Sequence, residues 1–237
     1  MEFVESNKQI NKAGNQNSRR KFIGTVAAAA SLSGLMAPFA AFSGNKQASY
    51  NADELDGWFS KIKGKRRMVF DATQPHDILP FAWPKVFLMT NAATGSPEEE
   101  CTAVVVLRHD AIPYAMESSL WEKYNFGEVF HAPDPKNGNP SKRNPFWKPA
   151  PGDFIVPGMG EVAIGIDQLQ KSGVLFCVCD AALTVYSSAL AEGMSLDAAT
   201  VKAEWVKGLL PNIQVVPSGV WALGRAQEHG CGYIFAG

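Results

Sequence analysis

The stretch that decides the fold is Thr102-Ala103-Val104-Val105-Val106-Leu107, in which every residue is apolar or β-branched. A strand without alternation of polar and apolar residues is typical of a parallel sheet that is buried on both faces. The stretch Val174-Leu175-Phe176-Cys177-Val178-Cys179 has the same character. We therefore expect two buried strands of one mostly parallel sheet.

Strand and helix patterns alternate over the rest of residues 44–237. Three shorter strands are predicted over residues 67–71, 213–216 and 233–235. Helices are predicted over residues 51–63, 81–93, 118–125, 162–171, 181–192, 196–207 and 220–228, the second of them beginning near Pro84. Five strands separated by helices predict an α/β fold, a three-layer α/β/α sandwich around a mostly parallel five-stranded sheet.

Residues 131–157 interrupt this pattern with seven prolines. No regular helix survives that proline density, so a long surface loop is predicted. Long loops inside compact domains are often functional, and the alternative is a solvated insertion. Phe146 and Trp147 at its centre need burial, either against the main domain or against a neighbouring subunit.

Residues 1–43 have the order of a secretory signal. They begin polar and basic, continue as an apolar stretch and end in the triplet Ala41-Phe42-Ser43. The paired arginines Arg19 and Arg20, with Phe22 two residues on, resemble the twin-arginine (Tat) signal consensus. The resemblance implies export by the Tat translocase to the periplasm, with 44–237 as the mature domain. The alternative is a retained signal that tethers the protein to the membrane.

The charge balance bears on possible partners. The whole chain has 22 basic and 23 acidic residues. Five of the basic and two of the acidic residues fall within 1–43, so the remaining chain has a net charge of −4. No basic surface is predicted, which argues against nucleic acid as a partner.

Residues 174–237 carry a family resemblance. The first motif is Phe176-Cys177-Val178-Cys179-Asp180-Ala181-Ala182-Leu183, a strand that ends in a cysteine before a helix. The second is Leu210-Pro211-Asn212-Ile213-Gln214-Val215-Val216-Pro217-Ser218-Gly219-Val220, and the third is Gly230-Cys231-Gly232-Tyr233-Ile234. Together they resemble the DsrE/TusD/YchN-type domain of the DsrE family.

The resemblance implies a flavodoxin-like sandwich that associates into trimers or hexamers. Some members relay sulfur as a persulfide on the cysteine that ends the third strand, and Cys179 matches that position. This chain departs from the pattern at Asp180, where members usually have a small or apolar residue. It also has Thr184, Val185 and Tyr186 where the sulfur-relay members carry arginines.

The chemistry of Cys179 can also be weighed from its predicted place in the fold. Functional sites of open α/β sheets gather at the carboxyl ends of the strands. A helix N-terminus directly after Cys179 favours its thiolate, the form that attacks a persulfide sulfur. The carboxylate of Asp180 opposes the thiolate. The alternative is a buried structural cysteine.

Other polar residues follow the same strand ends. Asp71 ends the first strand, Arg108, His109 and Asp110 follow the second, and Ser218 follows the fourth. In a parallel sheet they would border one crevice together with the predicted thiol. His109 is the candidate general acid or base, because imidazole titrates near neutral pH. The alternatives are that His109 caps a loop and that Ser218 shapes a turn.

The four cysteines leave two pairings to weigh. Cys177 and Cys179 share one face of a strand, where a disulfide would be strained. Cys101 and Cys231 could pair only if their strands are neighbours. Two cysteines with His109 could bind a metal ion, but the spacing is not a recognised zinc pattern. We predict no metal site.

The sequence gives little support for a nucleotide cofactor. The chain has no Walker-type loop. Residues 158–163 fit the permissive form Gly-x-Gly-x-x-Ala, but they leave a proline-rich loop instead of a clear strand. We predict no cofactor.

Three functional hypotheses remain open. The first is an exported sulfur-handling protein, a sulfurtransferase-like carrier that uses Cys179. The second is a non-catalytic oligomeric module that binds a small ligand or a partner protein. The third is a metal-binding export protein. An accessible Cys179 beside His109 favours the first, and a buried Cys179 under the loop favours the second.

Overall fold

A computed structural model of the chain describes residues 50–237. The predicted Tat signal, with Arg19 and Arg20, and the predicted domain boundary after residue 43 lie outside the described residues. Within 50–237, no helix is long and apolar enough to cross a bilayer.

Five parallel strands form one sheet, as predicted. Their order across the sheet is β6-β5-β2-β1-β7, and every neighbouring pair is parallel. A separate antiparallel pair, β3 with β4, lies at the end of the proline-rich segment. The strands are β1 Arg66–Ala72, β2 Cys101–Leu107, β3 Ile155–Val156, β4 Gly160–Glu161, β5 Leu175–Cys179, β6 Ile213–Val216 and β7 Gly232–Phe235.

Helices precede and connect these strands. The α-helices are α1 Ala52–Phe59, α2 Leu79–Ala93, α3 Ser118–Lys123, α4 Phe126–Val129, α5 Ile166–Lys171, α6 Asp180–Met194, α7 Ala198–Lys207 and α8 Gly219–Glu228. Two 3₁₀ helices, Glu98–Glu100 and His109–Ala115, lie on either side of β2.

Both faces of the sheet are covered, so the predicted three layers are present. Val69 and Val104 belong to one buried cluster with side chains of α1 and α8. The residues next to them in the strands point the other way, because side chains alternate along a strand. Phe70 accordingly meets Phe87 of α2 edge to face.

The connectivity differs from the flavodoxin-like order that the resemblance implied. Numbered along the chain, the five strands of the sheet lie in the order 4-3-2-1-5, whereas the flavodoxin-like order is 2-1-3-4-5. The first three crossovers all step in one direction, and only the last, through α8, returns to the opposite edge. Since parallel crossovers are right-handed, this reversal places α8 on the face opposite α2.

Three helix ends differ from the sequence prediction. Asn51 caps α1, and the helix ends at Phe59 and not near Lys63. Helix α2 begins at Leu79, because Pro80 already fits its first turn, and Pro84 lies inside it. Helix α5 begins only at Ile166, because residues 160–161 pair with residues 155–156 in the hairpin.

The proline-rich segment has no helix, as predicted, but it packs tightly on the domain. Phe146 is fully buried and stacks on Phe81 of α2, with ring centroids 4.1 Å apart. The buried Asn144 donates from Nδ2 to the carbonyls of Tyr114 and Met116, at 2.8 and 2.9 Å. Phe146 therefore finds its burial within its own chain.

Candidate functional site

A buried carboxylate lies where β1 ends. Asp71 is only 1% exposed. Arg108, which follows β2, donates to both of its carboxylate oxygens, from Nε at 2.7 Å and from an Nη at 2.9 Å. The Tyr233 hydroxyl donates to Oδ2 at 2.8 Å. The hydrogen bond with Asp71 raises the pKa of Arg108 further above its ordinary value, so its charge is permanent.

Residues at the start of α8 hold Arg108 in place. The Ser218 hydroxyl accepts the backbone N–H of Trp221 at 3.1 Å, so Ser218 caps the helix. The backbone of Gly219 passes so close to Arg108 that an added Cβ would lie 2.6 Å from the Arg108 Cβ. Gly219 is therefore required for the close approach of helix and arginine.

We predict that Gly219→Ala lowers the free energy of unfolding by about 1–3 kcal/mol, because Arg108 cannot yield without leaving Asp71. Gly224 is the matched control, since it lies in the same helix and an added Cβ there meets nothing within 4 Å. Gly224→Ala should be neutral or stabilising by up to about 1 kcal/mol. Urea unfolding of both variants tests this, and equal effects would contradict it.

Cys179 ends β5 and caps α6. Its sulfur accepts the backbone N–H of Ala182 at 3.3 Å, in the first turn of a 15-residue helix. The residue is 6% exposed. Arg108 is close enough to interact electrostatically with the thiol. The predicted position of Cys179 at a strand end before a helix N-terminus is thus present.

The carboxylate of Asp180 has partners of its own. Lys202 of α7 lies 2.8 Å from its Oδ1, and the Tyr50 hydroxyl donates to Oδ2 at 2.7 Å. An ammonium group beside the carboxylate offsets its charge. Asp180 therefore opposes a thiolate on Cys179 less than its place in the sequence suggests.

His109 and Asp110 turn away from Arg108 toward α6. Nδ1 of His109 lies 3.3 Å from Oδ1 of Asp110, and the Tyr186 hydroxyl donates to the same oxygen. The interaction with Asp110 raises the pKa of His109 above 6.5. Burial alone would raise the pKa of Asp110, but its contacts with His109 and Tyr186 lower it overall.

The residues predicted to border one crevice thus form two separate groups in the structure. Asp71 and Arg108 lie on the side of the sheet edge that includes Cys179, whereas His109 and Asp110 pair with Tyr186. Cys179 is buried, and within residues 50–237 no hydrogen bond or ion pair joins it to His109, so the accessible thiol beside His109 that would have favoured the sulfur-handling hypothesis is not present. Ser218 serves as a helix cap.

Four partners in these groups were missed by sequence reasoning: Tyr50, Tyr186, Lys202 and Tyr233. Tyr233 lies 162 positions from Asp71 and Tyr50 lies 130 positions from Asp180. No local spacing signals such pairs. Only the position of Tyr233 in a recognised motif could have drawn attention to it.

The four cysteines are free thiols. Cys101 opens β2 and Cys231 precedes β7, and β1 lies between those strands. A disulfide cannot span an intervening strand. Burial raises the pKa of Cys231 to about 11 and raises that of Cys177 further still. Among the described residues, no group of three or more His, Cys, Asp or Glu side chains is arranged to hold a metal ion.

No family model and no curated protein matches the chain. One solved structure, of a protein of unknown function, MTH1491 from Methanobacterium thermoautotrophicum, is similar at 18% identity. The match covers 72% of this chain and 99% of that one, with a TM-score of 0.38. A likeness at this level carries no conclusion about function.

Proposed function

We propose that this protein is an exported thiol protein that accepts sulfane sulfur on Cys179 and passes it on. The observation that carries the proposal is the hydrogen bond from the Ala182 N–H to the Cys179 sulfur at the N-terminus of α6. A helix N-terminus stabilises negative charge, and both a thiolate and a persulfide anion carry one.

The surroundings of the thiol support this assignment. The permanently charged guanidinium of Arg108 lies within electrostatic reach of the sulfur. Lys202 offsets the charge of the adjacent Asp180. The sulfur-relay members of the resembling family carry arginines soon after this cysteine, whereas Arg108 and Lys202 come from other parts of the chain.

The proposed step is a thiol–persulfide exchange. The Cys179 thiolate attacks the outer sulfur of a donor persulfide R–S–SH, a new S–S bond forms at Cys179, and the donor S–S bond breaks. The donor leaves as the thiolate R–S⁻, and Cys179 becomes a persulfide. The sulfane sulfur only changes its carrier, so no external oxidant or reductant is consumed.

The location and assembly of the protein belong to the same proposal. The twin-arginine stretch around Arg19 and Arg20 supports passage through the Tat translocase in the folded state. The protein would then act in the periplasm, either free or tethered through an uncleaved signal. A trimer or hexamer is proposed from the family resemblance, and size-exclusion chromatography with light scattering tests it.

Alkylation of the full chain by iodoacetamide, with peptide mass spectrometry, tests the thiol. Cys231 is the internal control, because it is 7% exposed, close to the 6% of Cys179, yet lies at no helix N-terminus. We expect Cys179 to react at least about tenfold faster than Cys231 at pH 8, because the thiolate is the reactive form. With a polysulfide donor, Cys179 should gain the mass of one sulfur atom, and Cys179→Ser should gain none at that peptide.

Two outcomes of these experiments would contradict the proposal. If Cys179 reacts no faster than Cys231 in the native protein, or gains no sulfur, sulfur transfer through this residue is refuted. Labelling both cysteines after unfolding in urea shows that the reagent and the peptide analysis detect each of them.

A non-catalytic binding module is the second candidate. It is favoured by the low exposure of Cys179 and by apolar side chains left uncovered near α8 and β7. Val220 is 69% and Phe235 is 58% exposed, and Tyr233 is also exposed. In that case Cys179 is a buried structural cysteine. The Cys179→Ser variant should then have the same assembly state as the wild-type protein, and neither of the two should take up sulfur.

A further inference from the structure

We propose that His109, Asp110 and Tyr186 form a proton-transfer site of their own, in which Nε2 of His109 exchanges a proton with a small bound ligand. The ligand class is a molecule with an ionisable hydroxyl, thiol or activated C–H group. The site goes beyond the proposed sulfur chemistry, since it shares no residue with Cys179 and its polar partners.

The geometry converges on one oxygen atom. Oδ1 of Asp110 meets Nδ1 of His109 at 3.3 Å and accepts the hydroxyl of Tyr186. The Tyr186 ring lies edge to face against the imidazole, with centroids 5.7 Å apart. The imidazole thus has its Nδ1 side turned to a carboxylate that a third residue holds in position.

The backbone keeps this arrangement at some conformational cost. His109 has a φ of 52°, in the left-handed region that non-glycine residues seldom adopt. The next residue is anchored, because the backbone N–H of Asp110 donates to the Thr73 carbonyl at 2.8 Å. Strained residues of this kind concentrate at functional sites. Here the strain directs the imidazole onto the carboxylate.

The chemistry follows from the two imidazole nitrogens. With Nδ1 donating its proton toward Asp110, Nε2 is left with a free lone pair and can act as a base. The side chain is 62% exposed, so a ligand can approach the imidazole. A ligand X–H gives its proton to Nε2 and keeps the bonding electrons as X⁻. The imidazolium, stabilised by Asp110, later returns the proton.

Four charged or titratable groups face this imidazole and its carboxylate. Asp110 favours the imidazolium, and Arg108 opposes it from the preceding position. Tyr186 of α6 and His131, which follows α4, act on the Asp110 carboxylate. The roles separate clearly: His109 is the residue that meets the ligand, and Asp110 and Tyr186 are positioning residues.

Proton NMR of the four histidines of the full chain tests the proposal. We expect Asp110→Asn to lower the His109 titration midpoint by roughly one pH unit, since the opposite charge is lost. Tyr186→Phe should raise the His109 titration midpoint, because the Asp110 oxygen then has only the imidazole as a partner. A merely structural packing role would not produce shifts of opposite sign. Cys179→Ser should leave the His109 midpoint unchanged, which separates this site from the thiol.

Diethyl pyrocarbonate supplies the second measurement, because it acylates the free lone pair of a neutral imidazole. Near the ordinary midpoint of about pH 6.5, Asp110 keeps more of the His109 imidazole protonated, so His109 should be modified more slowly in the wild-type protein than in Asp110→Asn. The proposal is overturned if Asp110→Asn does not speed the modification of His109. It is also overturned if the two variants leave the His109 midpoint where it is or move it in the same direction.

Discussion

Replacing Phe146 by alanine is expected to lower the free energy of unfolding by about 3–5 kcal/mol, because a fully buried ring is lost from a stacked aromatic group. Phe146 lies between Phe81 and Phe154, with centroid distances of 4.1 and 4.9 Å, and meets Tyr114 edge to face. The proline-rich segment around it has no helix whose hydrogen bonds could hold the segment in place after the ring is lost. The measurement is urea unfolding followed by tryptophan fluorescence.

Trp147 provides the control, since it is the next residue along the same segment but only half-buried. Trp147→Ala should cost less than about 1 kcal/mol if partial burial governs the loss. Limited proteolysis adds an independent readout: Phe146→Ala should expose cleavage sites within residues 131–157, and Trp147→Ala should not. Equal losses of stability in the two variants would mean that the segment is not held by the ring of Phe146.

Replacing Arg108 by methionine is expected to cost about 3–5 kcal/mol, because it leaves a buried carboxylate without its cation. Asp71 is 1% exposed, and after the change the Tyr233 hydroxyl is the remaining side-chain donor to it among residues 50–237. The charge then lacks compensation in a low-dielectric surrounding. Chemical unfolding at neutral pH gives the measurement.

Two further variants identify the cause. Tyr233→Phe removes one hydrogen bond to the carboxylate and should cost only about 1–2 kcal/mol. The double variant Asp71→Asn with Arg108→Met removes both charges, so it should be more stable than Arg108→Met alone. If the double variant is instead as unstable as the sum of its parts, lost packing of the Arg108 side chain, and not the unpaired carboxylate, accounts for the effect.

The strands were predictable because their signals are local. The run over residues 102–107 is buried along its whole length, and it pairs in parallel with strands on both sides, as an unbroken apolar sequence indicates. The caps of two helices are local signals as well. Asn51 caps α1, and Asp197 caps α7 by accepting the Thr200 N–H at 2.8 Å. Such caps depend on neighbours within three residues, so the sequence contains all that they need.

The candidate site was predictable only in part. A parallel sheet brings its carboxyl ends to one edge, which correctly placed Asp71, Arg108 and Cys179 there. It did not indicate that His109 would turn toward α6 and away from Arg108, because that depends on a left-handed backbone conformation at a single residue. Adjacent residues after a strand end can therefore belong to different groups.

The amino-acid sequence by itself determined the class of fold and the number of strands in the sheet, because apolar periodicity acts over a few residues. Only the tertiary structure decided the strand order, the burial of Phe146 and the partners of Asp71, Asp110 and Asp180. The crossover through α8 sets which edge β7 joins, and Tyr233 reaches Asp71 across 162 positions of sequence. The physical reason is that these contacts join segments whose distance is set by packing and not by spacing along the chain.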